Sequence, residues 1–236
     1  MENYFLQGIV LPERARFDTE WGLKGQHLSS GVFFSVKVSI VCNQVALWLE
    51  ADKELSVVDL KNFANYVVFD QLHVYSFLMG CTLDFQLTRV INKEREVDYV
   101  YGIENPVLFG RRDIAELDAP IQKIRALQVG QDGALIHRAL SDLSSAMRYR
   151  EDSAFYCYRA IESLKQHYCA VNGVSENDER KWIAFRDANG FSKEQIVWFA
   201  ELAKYSRHGN LSLIDAEKYE ELLRKTWDVV DKYLSI

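Results

Sequence analysis

The feature that most constrains this chain is a change in hydrophobic period part-way along it. In VFFSVKVSIV, residues 32–41, Phe34, Val36, Val38 and Ile40 share one face and Ser35, Lys37 and Ser39 the other. A period of two describes a strand with one buried side. The same alternation runs through 4–11, 44–50 and TLDFQLTRVI, where Leu83, Phe85 and Leu87 face one way. A last strand is expected near 96–101. From Gly133 onward the apolar residues recur every three or four positions instead, and no strand is expected. The spacing predicts helices over 133–149, 152–171, 176–188, 192–206 and 214–234.

One helix interrupts the strands. Ser56-Val-Val-Asp59 is a capping-box-like start, and Leu60, Phe63, Val67 and Leu72 follow at helical spacing up to Gly80, which can take the left-handed turn that ends a helix. Cys42-Asn43 reads as a tight turn, and the polar, glycine-bearing stretch 14–31 as a long loop or irregular hairpin. A helix laid on an antiparallel sheet buries both apolar faces, although several strand orders satisfy the alternation. Residues 104–130 hold two of the three prolines, and GRRDIAELDAP marks a connector with a short helix over 120–127. The expected fold class is therefore α+β: a sheet-and-helix lobe over 1–105, a connector over 106–130 and an all-α bundle over 131–236.

A formal net charge of −6 argues against broad capture of a long phosphate backbone, while leaving room for a small basic pocket. Cys42, Cys81, Cys157 and Cys169 form no CxxC pair and sit in apolar runs, which suits a reducing cytoplasm. No run of roughly 18 apolar residues is present, so no membrane partner is expected. None of the five histidines is paired at metal-ligand spacing, and there is no P-loop, GxSxG or GxGxxG. Neither a metal nor a cofactor is expected.

The stretch KYSRHGN, 204–210, carries the most chemistry. Lys204 and His208 are four apart, so they share a side of a helix that runs that far. Cations in a last turn complement the helix dipole, and Gly209 suits the turn that follows; that alone explains Lys204, Arg207 and His208 without any function.

A second reading comes from resemblance. The helix AFYCYRAIESLKQHY, followed by a helix ending in RHGN and then a long terminal amphipathic helix, resembles the HEPN domains of bacterial toxin and antiphage proteins. YFLQGIVLPERA and DLKNFANYVVFDQLHVYSFLMG look like the β-rich half that accompanies some ApeA-type HEPN proteins. The resemblance implies a cytoplasmic homodimer acting on RNA in defence or stress response, through a metal-independent endoribonuclease. Such enzymes use an arginine, four to six intervening residues and a histidine: histidine moves a proton near neutral pH and arginine grips the phosphate. His208 followed by Gly209 fits. The arginine window falls on Glu201, Leu202 and Ala203, so Lys204 and Arg207 are the stand-ins carried over with His208 as catalytic candidates. Arg159, Glu162 and Asn210 are the binding candidates, since the helix holding the first two often lines the motif cleft in this family.

Each has a plainer alternative. Arg159 and Glu162, three apart, suit an ion pair on one helix surface. Arg111, Arg112, Lys123 and Arg125 suit a solvated linker or a contact for an anionic ligand. Trp182, Trp198 and Trp227 suit core packing. Two functional classes follow: an RNA-directed enzyme, and a non-catalytic HEPN-type module that binds a partner or nucleic acid, or simply dimerises.

Overall fold

The computed structural model describes residues 1–26, 31–102, 104–175, 177–207 and 215–235. The chain divides into two compact units, Met1–Ile103 and Glu104–Ile236. The first contains strands β1 (Glu2–Leu11), β2 (Thr19–Gln26), β3 (Phe33–Val41) and β4 (Gln44–Ala51), helix α1 (Val57–Met79), and strands β5 (Asp84–Asn92) and β6 (Val97–Val100). They form one sheet in the order β2-β3-β4-β1-β5-β6, every neighbouring pair antiparallel. Alternate residues of the central strands, among them Leu6, Val38, Leu47 and Val90, are buried. Leu60, Phe63, Val67 and Leu72 of α1 join them in one core, where Phe63 meets Phe34 edge-on with centroids 4.7 Å apart.

The local signals act as their chemistry requires. Ser56 accepts the Asp59 amide at 3.1 Å and donates to its carboxylate at 2.7 Å. Gly80 stops the helix at φ 62°. Cys42 and Asn43 both hold positive φ, 48° and 67°, as the hairpin turn whose twist matches antiparallel strands needs. The buried Asn43 amide also accepts from the Phe17 amide and donates to the Val10, Pro12 and Glu13 carbonyls, tying the chain that leaves β1 and enters β2 to this turn.

Stretch 14–31, read as a loop or irregular hairpin, holds the edge strand β2, which pairs with β3 over its whole length. Its alternation rests on Trp21 and Leu23 alone, because an edge strand with one face half-buried and the other exposed needs few apolar residues.

The second unit contains α2 (Asp118–Leu127), α3 (Gly133–Arg148), α4 (Ser153–Val171), α5 (Asp178–Asn189), α6 (Lys193–Arg207) and α7 (Ala216–Leu234). Helix α4 is central, in contact with α3, α5, α6 and α7. Cys157, Ala160, Ile161 and Leu164 are buried along it, with Ile136 of α3, Phe185 of α5, Phe199 of α6 and Leu222 of α7 in the same core. At the start of α3 a Cβ on Gly133 would stand 2.2 Å from the Gln128 carbonyl oxygen, which excludes a larger residue from this close crossing.

Ser192 caps α6 through the Gln195 amide, whereas Asp152 makes no capping bond to α4 and Ser153 donates back to the Arg150 carbonyl at 2.7 Å. One expectation is corrected. The connector is not a separate linker. Arg111 pairs with Asp228 at 2.6 Å and Asp231 at 3.2 Å, Arg112 pairs with Asp231 at 2.7 Å, and Lys123 donates to the Ser235 carbonyl at 2.7 Å. Asp228 and Asp231, one turn apart on α7, neutralise Arg111 and Arg112, so these two arginines are neither a solvated linker nor free to grip an anion.

Candidate functional site

Helix α6 forms because Ile196, Phe199 and Ala203 face the core while Lys193, Glu194, Glu201 and Lys204 face water. Lys204 is exposed one turn before the helix end. Arg207 closes the helix; its side chain, with His208 and Asn210, lies outside the described residues.

The candidates on α4 are described in full, and the expected Arg159–Glu162 pair does not form. Arg159 reaches across to Asp142 of α3, Nε donating to one carboxylate oxygen at 2.9 Å and Nη2 to the other. The Asp142 side chain is 3% exposed and that of Arg159 31%. A carboxylate taken out of water is costly unless paired, so a two-bond partner on the facing helix wins over a half-exposed glutamate three residues along. The guanidinium lies over Phe155 at 4.7 Å and Tyr156 at 5.2 Å. Asp142 holds the arginine charge, raising its pKa, while burial opposes the charge. The pairing occupies the Nε–Nη2 edge, and the Nη1–Nη2 edge bonds to no other described residue. An arginine fixed in this way presents a second, oriented fork.

Family models match both units: the N-terminal domain of DUF8168, a domain of unknown function, over residues 4–101, and the C-terminal domain of DUF8168 over 121–236. The chain belongs to the DUF8168 family. Comparison with curated proteins finds no match, and comparison with solved structures finds none.

Sequence reasoning missed three polar groups that this DUF8168 chain buries. Asp142 occupies a core position of the α3 stripe Ile136, Ala139, Leu143 and Ala146, and that substitution of a carboxylate into an apolar stripe was the available signal. Lys165, its side chain 3% exposed, reaches Asp178 at 2.5 Å and lies 4.4 Å from the centre of the Trp182 ring. His167 meets the Tyr233 hydroxyl at 2.6 Å. Burial lowers the His167 pKa, against the opposing influence of Asp132 and the Leu127 carbonyl.

Trp182, Trp198 and Trp227 pack against the helical core, as expected. Cys157 is buried with its thiol pushed up to about 12, mainly by loss of water, which leaves it a packing residue rather than a nucleophile. Among the described residues no group of three or more His, Cys, Asp or Glu could hold a metal ion, and no helix is long and apolar enough to cross a membrane.

Proposed function

We propose that this chain is a HEPN-like protein directed at RNA, working as a cytoplasmic homodimer in bacterial defence or stress response, with metal-independent endoribonuclease chemistry at His208. The observation that supports this reading is the fork of Arg159, fixed by Asp142 on the central helix that contacts α6, the helix leading into Arg207-His208. Such a fork, which can donate two hydrogen bonds to a phosphate, would stand in for the arginine that the family's window, here Glu201, Leu202 and Ala203, lacks. In this reaction the RNA 2′-hydroxyl oxygen bonds to phosphorus as the bond to the 5′-oxygen breaks. His208 accepts the hydroxyl proton, the leaving oxygen takes one from solvent, and Arg159, Lys204 or Arg207 bears the charge that builds on phosphate. Glu162 and Asn210 contribute binding.

The test is incubation of the purified chain with mixed single-stranded and structured RNA in EDTA, beside His208→Ala. Cleavage abolished in the variant, with Tm kept within a few degrees, is the expected result. Cleavage that survives the substitution, or that the chelator stops, overturns it. The replaced arginine window also favours a second reading, a non-catalytic module that binds RNA or dimerises; it predicts no cleavage by either protein and equal binding by both.

A further inference from the structure

The sheet face opposite α1 carries an aromatic pair where a solvated strand surface would be polar. Phe5 of β1 and Trp48 of β4 are cross-strand partners near the middle of the sheet, with centroids 5.6 Å apart and planes tilted by 43°. Trp48 is 46% exposed although strands flank it on both sides. Beside this row the register aligns Ser39, Ala46 and Gln7, and beyond it Val41, Gln44 and Ile9. The short Ala46 side chain lowers the middle row, and a hollow of about 340 Å³ opens there, with Gln7, Ser39, Gln44 and Thr88 in its lining.

The chemistry of this hollow narrows its occupant. The side-chain amides of Gln7 and Gln44 bond to no described residue, so each presents a donor and an acceptor to a ligand. The nearby cations are matched: Lys37 pairs with Glu20 at 2.7 Å and Arg89 with Asp98 at 2.5 Å. A face with stacking area and amide edges, whose cations nearest the aromatic pair are matched, suits a flat neutral ring better than a phosphate backbone. Bases in a duplex are already stacked, whereas an unpaired base can lie on an aromatic side chain and be read along its edge.

We propose that this face binds an unpaired nucleobase of single-stranded RNA, stacked on Trp48 and Phe5 with Gln7 of the neighbouring row at its edge. The proposal rests on the RNA-directed reading above and gives the first unit a recognition role separate from the His208 chemistry.

The experiment uses the full chain carrying His208→Ala, with fluorescein-labelled oligoadenylate hexamer and an abasic hexamer of equal charge, read by anisotropy across a salt series. Adding Trp48→Ala is expected to weaken hexamer binding about ten-fold or more, the loss of one stacked base. Trp48→Phe, which keeps a ring, should retain most of it; the abasic strand should bind weakly, and salt dependence should be shallow. Because Trp48 stands on the solvent face, matched melting curves are expected for both variants.

Equal hexamer affinity in Trp48→Ala overturns the platform, as does tight binding of the abasic strand or no binding of the hexamer. A shift of Trp48→Ala from dimer to monomer with RNA affinity unchanged also overturns it and makes the face a contact between copies. His208-dependent cleavage by the otherwise unaltered chain is scored separately, so the platform and the ribonuclease reading can fail independently.

Discussion

The two units bury different kinds of side chain. Among its described residues, the first buries two polar side chains, Asn43 and Asn92, and each completes a turn. Asn92 accepts the amides of Glu94 and Arg95 at 3.1 and 3.2 Å. The second buries Asp142, Lys165 and His167, all titratable, besides Ser153, Ser163 and Thr226. A strand sends every second residue outward, so a sheet covered on one side can keep its inner face apolar. Helix α4, with neighbours all around, has little outward face to spare, and polar residues on it are buried whether or not a partner waits. Ser163 and Thr226 satisfy themselves on the carbonyl one turn back. The titratable groups are satisfied only by other helices, which is why the oriented charges of this molecule collect around α4.

The comparison breaks most readily at Arg159. Arg159→Met leaves the Asp142 carboxylate buried without its partner and should cost about 3 kcal/mol, toward the lower end for a broken buried pair because Arg159 is partly exposed. A urea titration that shows no loss would mean water reaches Asp142 and the second unit's interior is less dry than described. Asn43→Ala is the first unit's counterpart. It removes four bonds to backbone groups, although the Pro12 carbonyl keeps the Ala15 amide, and should cost about 2 kcal/mol, read the same way.

His167 sharpens the comparison through pH. Its folded-state pKa lies below the ordinary value of 6.5 because burial disfavours the imidazolium. The unfolded chain therefore binds the proton first as pH falls. The stability contributed by neutral His167 is complete above about 6.5, declines below it, and stops declining once the folded protein also protonates. The urea midpoint should fall between pH 7.5 and 5.5 in the parent chain, and less steeply in His167→Gln. Parallel slopes would show that the Tyr233 contact tolerates the charged ring.

The smallest effect is expected at Lys165. Its partner Asp178 has a side chain 69% exposed, so removing the lysine strands no charge in the core. Lys165→Met keeps the packing volume over Trp182 and should change stability by less than about 1 kcal/mol. A loss as large as that from Arg159→Met would mean that the burial of the remaining partner does not decide the cost.

Much of the fold was legible because local rules and tertiary structure agree. The alternation in β3, β4 and β5, the Ser56 cap, the Gly80 stop and the Cys42-Asn43 turn each express backbone geometry that few residue types satisfy. Strand β2 was not legible, since Trp21 and Leu23 make an edge strand only when β3 is there to pair with. At the candidate site, Arg159 was visible as a residue but its partner was not. Glu162 is near in sequence, while Asp142 is seventeen residues away and meets Arg159 only when α3 and α4 pack. The connector arginines were misread for the same reason, because Asp228 and Asp231 lie over a hundred residues further along.

Sequence by itself determined the change from strands to helices near the middle of the chain, the ends marked by the Ser56 cap, the Gly80 stop and the Cys42-Asn43 turn, and the apolar side chains that must face a core. Periodicity and capping act within a few residues, and those distances are set by the covalent chain. Tertiary structure decided the strand order with β1 between β4 and β5, the choice of Asp142 over Glu162, and the exposure of Trp48 on an aromatic face. Each depends on which surfaces meet through space, and burial makes that choice by rewarding the arrangement that leaves the fewest charges and apolar faces unmatched.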